Sequence, residues 1–165
     1  MKHENSARVI SSQRLDLIGA SEATLRADLE SHESLARVLG VFVPASWPPE
    51  LYDADAIRWS LDWMARHPWE HAWSFYYVTL RMRSNERVLI GASGYKGAPS
   101  TEGSVEVGYG VLPEYQRQGF ASEAASALVT HAFDDARVRE VIAHTLPELV
   151  ASIGVLDRNA FLFAG

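Results

Sequence analysis

One continuous stretch, residues 105–133, constrains the fold of this chain more than any other: VEVGYGVLPEYQRQGFASEAASALVTHAF. Apolar and β-branched residues lead into Pro113, a short polar loop follows, and apolar residues then recur at helical spacing. Proline has no N–H to give to a neighbouring strand, so strand pairing should stop at Pro113. The stretch therefore predicts a strand, a turn and a helix, with small residues at the turn.

The start of this helix is predicted to bind an anion. The first N–H groups of a helix have no carbonyl partner inside it, and the helix dipole favours negative charge there. Gly119 and Ala121 would let a phosphate approach the backbone closely. The helix should pack on a sheet through one apolar stripe, which consists of Ala121, Ala124, Ala125, Leu128, Val129 and Ala132.

The loop alone does not decide between a ligand site and an ordinary connection. A nucleotide P-loop needs Gly-Lys-Ser/Thr and a dinucleotide site needs G-x-G-x-x-G, and this loop has neither sequence. A glycine at a strand-to-helix turn is also common in proteins that bind nothing there.

Two blocks of sequence resemble a known family. Gln116-x-x-Gly119-x-Ala121, preceded by GYGVLPEY and followed by a helix, resembles the acyl-CoA pyrophosphate loop (Q/R-x-x-G-x-G/A) of the GNAT N-acetyltransferase superfamily. Residues 141–161, VIAHTLPELVASIGVLDRNAF, resemble the fifth strand and fourth helix of its ribosomal-protein-alanine N-acetyltransferase-like branch. The resemblance covers nearly the whole chain. It implies an α/β fold, a mixed sheet flanked by helices, in a single domain over residues 1–165.

The composition of the chain indicates which kinds of partner it can bind. A net charge of −6 and a pI near 5.5 leave no basic stripe for nucleic acid, and an amine-bearing substrate suits the charge better. The chain has no cysteine, which excludes a disulfide framework, a thiolate nucleophile and a cysteine metal site. The first ten residues lack a long apolar segment, and no run approaches the roughly 18 apolar residues of a membrane span. We therefore expect a cytoplasmic protein with no membrane partner.

The remaining elements follow from periodicity and turn residues. Residues 14–18 predict a first strand, and Ser21 is the expected N-cap of a helix with Leu25 and Leu29 on one face. Residues 53–66 predict a second helix. Residues 73–81 and 88–96 predict a hairpin, and residues 104–111 and 139–145 predict two further strands. The predicted order is β-α-α-β-β-β-α-β-α.

Aromatic residues concentrate between residues 42 and 73, where all five tryptophans lie: Trp47, Trp59, Trp63, Trp69 and Trp73. Most tryptophans of this kind belong to the core. In the second predicted helix, Ile57, Leu61 and Met64 should form the core face, with Trp59 and Trp63 on another side. The family resemblance implies an additional role for the region, as a wall of the acceptor pocket.

The resemblance implies acetyl-CoA (coenzyme A) as the cofactor, in a cleft where the strand ending at Val111 and the strand at residues 139–145 splay apart. Main-chain groups of Tyr109 and Val111 would hold the pantetheine. The pyrophosphate would lie on the loop formed by Gln116, Arg117, Gln118, Gly119, Phe120, Ala121 and Ser122, with its N–H groups from Arg117 to Ser122 as donors.

The implied reaction is direct attack of an amine on the thioester, which needs a base. Glu106 and His144 are the two candidates, and each could equally be a structurally paired side chain. Leu149 stands where relatives often carry a cofactor-binding asparagine, and Leu156 where many carry a tyrosine acid. Ser152 or a water would then have to protonate the thiolate.

Relatives usually continue through two more strands beyond the position of Phe161, whereas this sequence stops at Gly165. We expect a second copy of the chain to cover the strand edge left exposed, as a homodimer, or else a weakened activity. Two functions stay open. One is an N-acetyltransferase acting on a peptide or small-molecule amine, and the other is a weak or inactive acyl-CoA-binding module. A purely structural domain is the third reading.

Overall fold

Alternating and fully apolar runs form the strands of one mixed sheet in the computed structural model, which describes residues 7–164. The strands lie in sequence order, and neighbours are antiparallel except for the parallel pair β5 and β6. Their bounds are β1 Val9–Ser11, β2 Leu15–Gly19, β3 Phe75–Arg81, β4 Arg87–Tyr95, β5 Ser104–Val111 and β6 Glu140–Ile142. The predicted mixed sheet is confirmed, and so is the hairpin of β3 and β4. The strand predicted at residues 139–145 is shorter than expected, because only Glu140–Ile142 pair with β5.

Five α-helices accompany this sheet: α1 Glu22–Glu30, α2 His32–Leu39, α3 Ala54–Arg66, α4 Phe120–Phe133 and α5 Val150–Arg158. Ser21 caps α1 as predicted, because its hydroxyl accepts a hydrogen bond from Thr24 N at 3.1 Å. Asp53 caps α3 in the same way through Ala56 N at 3.0 Å. Side-chain caps therefore fix where both helices begin.

The sequence did not predict two of the elements, β1 and α2. Strand β1 has three residues, too few for a periodic pattern, and it forms only because β2 offers a partner. Helix α2 begins directly after α1, and Ser31 is both the C-cap of α1 and the N-cap of α2. The observed order is β-β-α-α-α-β-β-β-α-β-α.

Helices cover both faces of the sheet, as predicted for a sheet flanked by helices. Tyr77 donates a hydrogen bond to Asp28 of α1 at 3.1 Å, whereas Tyr95 donates to the carbonyl of Leu128 in α4 at 2.7 Å. The Tyr76 ring lies 6.1 Å from that of Tyr95. Because successive side chains of a strand point to opposite faces, α1 covers the face of Tyr77 and α4 covers the face of Tyr76.

The predicted core residues have mixed outcomes. Leu25, Ile57 and Met64 are buried, whereas Leu29 is exposed and Leu61 is only partly buried. Three tryptophans are core residues, Trp47, Trp63 and Trp73. The prediction that Trp63 lies away from the core face of its helix is therefore wrong. Trp59 and Trp69 are exposed, so the expectation that most tryptophans lie in the core is confirmed for three of the five.

Within residues 7–164, the structure contains no helix that is long and apolar enough to cross a membrane. The expectation about an apolar N-terminal segment concerns the first ten residues, and residues 1–6 lie outside the described part of the chain.

Candidate active site

Strands β5 and β6 separate at one edge of the sheet, where β6 is the last strand. They pair over three positions only, the last being Glu106 with Ile142. Strand β5 nevertheless continues, paired with β4 as far as Val111 and Gly91. One side of β5 is therefore open beyond Glu106, well before Pro113, where the sequence predicts that strand pairing stops.

The open side of β5 carries unpaired main-chain groups. The carbonyl of Glu106 accepts a hydrogen bond from Lys96 N at 2.9 Å, and Leu112 N donates to the carbonyl of Ile90 at 2.8 Å. Both bonds point towards β4. Because main-chain groups alternate in direction along a strand, those of Tyr109 and Val111 face the side that β6 has left. The carbonyl of Val111 accepts one hydrogen bond there, from Gln116 Nε2 at 3.0 Å.

The loop before α4 presents its N–H groups to solvent. Arg117 and Gly119 adopt left-handed backbone conformations, with φ of 61° and 82°, and Gly119 is the N-cap of α4. Among the described residues, the main-chain N–H groups of residues 117–122 donate no hydrogen bond. Gln118 Nε2 braces the loop by donating to the carbonyl of Glu114 at 3.1 Å. The loop is thus held open with a row of free donors.

Six of the seven predicted loop residues line the cleft: Gln116, Arg117, Gly119, Phe120, Ala121 and Ser122. Gln118 is not among the lining residues. Only 5% of Phe120 is exposed, so it offers a ligand mainly its N–H group.

The cleft has a volume of about 1290 Å³ and runs from α3 to α5 between the separated strands. Its lining includes the aromatic residues Tyr52, Trp59 and Tyr109. Glycines on β5 make room for Tyr52, since a Cβ at Gly110 would lie 3.0 Å from its Cε2 atom. The expectation that residues 42–73 contribute to this wall agrees with the positions of Tyr52 and Trp59.

The two candidate bases contact each other where the strands separate. Glu106 Oε1 lies 2.9 Å from His144 Nδ1 and accepts a hydrogen bond from Lys96 Nζ at 2.6 Å. Burial opposes ionisation of Glu106, but the hydrogen bonds and charges of Lys96 and His144 prevail and lower its pKa. His144 and Lys96 line the cleft, whereas Glu106 lies behind them with 21% of its side chain exposed.

Ser152 of α5 and Tyr109 of β5 contact each other at the cleft. The Tyr109 hydroxyl lies 3.2 Å from the Ser152 carbonyl and 3.3 Å from its Oγ atom. Burial raises the pKa of Tyr109, so its hydroxyl stays protonated at neutral pH. Leu149, the residue before α5, provides no side-chain cap for the helix.

Lys96 and Tyr52 are cleft residues that sequence analysis did not single out. The hairpin formed by β4 and β5 could have indicated Lys96, because pairing Tyr95 with Val107 puts Lys96 beside Glu106. No sequence signal distinguishes Tyr52 from the other aromatic residues of its region.

A family model described as an acetyltransferase (GNAT) domain matches residues 20–161. The uncharacterised N-acetyltransferase YoaA of Bacillus subtilis is 30% identical over 79 residues, which are 48% of this chain and 45% of YoaA. The chain thus spans about half the length of this curated relative.

Solved structures with the same fold include a ribosomal L7/L12 alpha-N-protein acetyltransferase in complex with coenzyme A. It has a TM-score of 0.65 and 20% identity, and the match covers 96% of this chain and 86% of that one. A GNAT-family acetyltransferase from Bacillus anthracis has a TM-score of 0.59 and 22% identity, with coverage of 92% and 82%. At such identities the likeness is one of fold.

Proposed function

This chain belongs to the acetyltransferase (GNAT) domain family, and from that premise we propose that it transfers an acetyl group from acetyl-CoA to a primary amine. The observation that carries the proposal is the separation of β5 and β6 after Glu106. It brings His144, the free main-chain groups of β5 and the start of α4 to one cleft.

The residues of the cleft fit acetyl-CoA. When bound, it supplies the acetyl group as a thioester, so that the attack of an amine forms a C–N bond and breaks the C–S bond. Main-chain groups of Tyr109 and Val111 suit the pantetheine amides, which pair like a neighbouring strand. The free N–H groups of residues 117–122 and the N-terminus of α4 suit the pyrophosphate.

We assign the base to His144 and a positioning role to Glu106. A lowered pKa keeps Glu106 ionised at neutral pH, which makes its carboxylate a weak base. The same carboxylate can accept the hydrogen bond of the His144 Nδ1–H group, which leaves Nε2 as the free acceptor of the ring. His144 then takes the proton that the amine loses as the C–N bond forms.

Tyr109 and Ser152 are the candidates for returning a proton to the sulfur. Tyr109 holds its proton because burial raises its pKa, and Ser152 lies within hydrogen-bond reach of it. A proton passed from the Tyr109 hydroxyl to the thiolate would yield coenzyme A as a thiol.

The acceptor is a peptide N-terminus or a small-molecule amine. The neighbour that acts on ribosomal L7/L12 is by its name an alpha-N-protein acetyltransferase. In this chain, Trp59 is 51% exposed at the wall of the cleft, and Glu50 and Leu51 lie beside it. An opening of this kind admits the end of a peptide as well as a small amine.

Calorimetry with coenzyme A tests the cofactor site. Gly119→Glu puts a bulky anion where the pyrophosphate should lie, and we expect it to abolish binding that the wild type has. Gly40→Glu is the matched control, because Gly40 is also left-handed, with φ of 72°, and a Cβ there meets nothing within 4 Å. Absence of binding by the wild type, or equal binding by both variants, would contradict the assignment.

A further inference from the structure

Arg14, in the turn between β1 and β2, reaches across to the loop before α4. Its Nε atom lies 2.7 Å from Glu123 Oε2, and its main-chain N donates to Glu123 Oε1 at 2.6 Å. Its Nη1 atom donates to the carbonyl of Gln118 at 3.0 Å. One residue far away in the sequence thus binds both the loop and the first turn of α4.

Glu123 is the other half of this contact. It also accepts a hydrogen bond from Ser12 Oγ at 2.7 Å, and only 14% of its side chain is exposed. Burial opposes its ionisation, but the hydrogen bonds from Ser12 and Arg14, with the charge of Arg14, prevail and lower its pKa. The carboxylate is therefore ionised and held from three sides.

Arg14 also contacts the two residues at which α4 begins. Its guanidinium lies 4.4 Å from the centre of the Phe120 ring. Its Nη2 atom lies 3.3 Å from the point where a Cβ of Gly119 would be. The backbone here includes Arg117, whose φ of 61° is strained for a side-chain-bearing residue and persists only with support from its surroundings.

We propose that Arg14 and Glu123 are positioning residues for the loop, holding the N–H groups of residues 117–122 towards the pyrophosphate of acetyl-CoA. The inference rests on the proposed function, which supplies that ligand. An exposed ion pair contributes little by itself, and 41% of the Arg14 side chain is exposed. The contacts to Gln118, Phe120 and Glu123 together, however, tie the loop and the first turn of α4 to the turn between β1 and β2.

The test compares two acetyl donors in Arg14→Gln and Glu123→Gln. S-acetylpantetheine lacks the pyrophosphate, so it serves as the probe that the loop cannot hold. We expect KM for acetyl-CoA to rise about 10- to 100-fold in both variants, the range for lost hydrogen bonds to charged groups. We expect kcat/KM for S-acetylpantetheine to stay within about twofold of wild type.

A third variant separates position from charge. Arg14→Lys keeps the charge, but one ammonium cannot reproduce the fork that joins Glu123 to Gln118. We expect it to resemble Arg14→Gln. Arg26→Gln, which breaks an exposed pair with Glu22, is the control and should match the wild type.

Three results would overturn the inference: wild-type KM for acetyl-CoA in both variants, wild-type KM in Arg14→Lys alone, or equal losses with the two donors. The first result would mean that the contacts of Arg14 and Glu123 do not affect acetyl-CoA binding. The second would mean that a positive charge at position 14 is enough for binding. The third would mean that the variants destabilise the whole fold. A wild type that binds no coenzyme A would instead remove the proposed function and this inference with it.

Discussion

Glu106 and His144 are joined side chain to side chain, with Glu106 Oε1 2.9 Å from His144 Nδ1. Glu106 is the last residue of β5 that pairs with β6, whereas His144 lies two residues beyond the end of β6. What the sequence offers as two alternative bases is a single unit in the structure, in which the carboxylate can fix the tautomer of the imidazole.

Replacing His144 tests the assignment of the base. We expect His144→Ala to lower kcat about 100-fold or more, the usual contribution of a positioned base, without weakening acetyl-CoA binding. Glu106→Gln should cost less, about tenfold, because the imidazole remains but loses its partner. Steady-state kinetics with calorimetry distinguishes the two effects. Wild-type rates in both variants would remove the catalytic assignments.

Lys96 should help to keep Glu106 ionised. Its ammonium lies 2.6 Å from Glu106 Oε1 and helps to lower the pKa of that carboxyl. Lys96→Met should therefore raise the pKa of Glu106, so that the carboxylate is protonated at a higher pH as the solution is acidified. An NMR titration of the Glu106 carboxyl in wild type and variant measures this shift. An unchanged titration would mean that Lys96 does not help to hold the carboxylate ionised.

The hydroxyl of Tyr109 should matter more to turnover than to binding. Tyr109→Phe removes the proposed acid but keeps the ring and the main-chain groups, so we expect kcat to fall about 10- to 100-fold with coenzyme A affinity unchanged. Ser152→Ala should have a smaller effect, because Ser152 contacts the Tyr109 hydroxyl and is not itself the proposed acid. If Ser152→Ala shows the larger loss, the two roles are reversed.

Asp16 should stabilise the part of the sheet formed by β1 to β4. It is 3% exposed and accepts hydrogen bonds from Ser11, Arg81 and Arg87 at 2.7, 2.7 and 2.9 Å. Asp16→Asn should lower the free energy of unfolding by about 2–4 kcal/mol, because it breaks a buried charge pair. Urea unfolding measures this, and Asp55→Asn, at the exposed pair with Arg58, is the control that should change little.

The same variant predicts a pH dependence. Burial alone would raise the pKa of Asp16, but its hydrogen-bond partners and the two arginines hold it below the ordinary 3.8. The folded state therefore binds the proton less tightly than the unfolded state does, and the stabilisation is complete above 3.8. It is lost as the pH falls through the lower folded value. The stability gap between wild type and Asp16→Asn should close in that range, and a constant gap would contradict the prediction.

Sequence reasoning succeeded where local signals are strong. The strand at residues 104–111, a helix after the loop and the N-cap at Ser21 are confirmed, because periodicity, proline and capping side chains act over a few residues. It failed at β1 and α2, where short segments form only because a neighbour is present.

The sequence identified candidate residues for the site, but not how those residues are arranged in space. The loop before α4 could be found from Gln116, Gly119 and Ala121 through the family resemblance. The contact of Glu106 with His144 could not, since it depends on where β5 and β6 stop pairing. The contact of Arg14 with Glu123 could not be predicted from the sequence either, because the two residues are 109 positions apart.

The sequence by itself determined most of the strands and helices, β1 and α2 excepted, and the turn that exposes free N–H groups, because these depend on the intrinsic conformational preferences of neighbouring residues. Only the tertiary structure decided which charged side chains contact each other and which side chains hold the loop before α4. Those relationships depend on distances between segments remote in the chain, set by the register of β4, β5 and β6 and by the packing of α4 on the sheet. A pairing shifted by one residue would leave every local signal intact and separate Glu106 from His144.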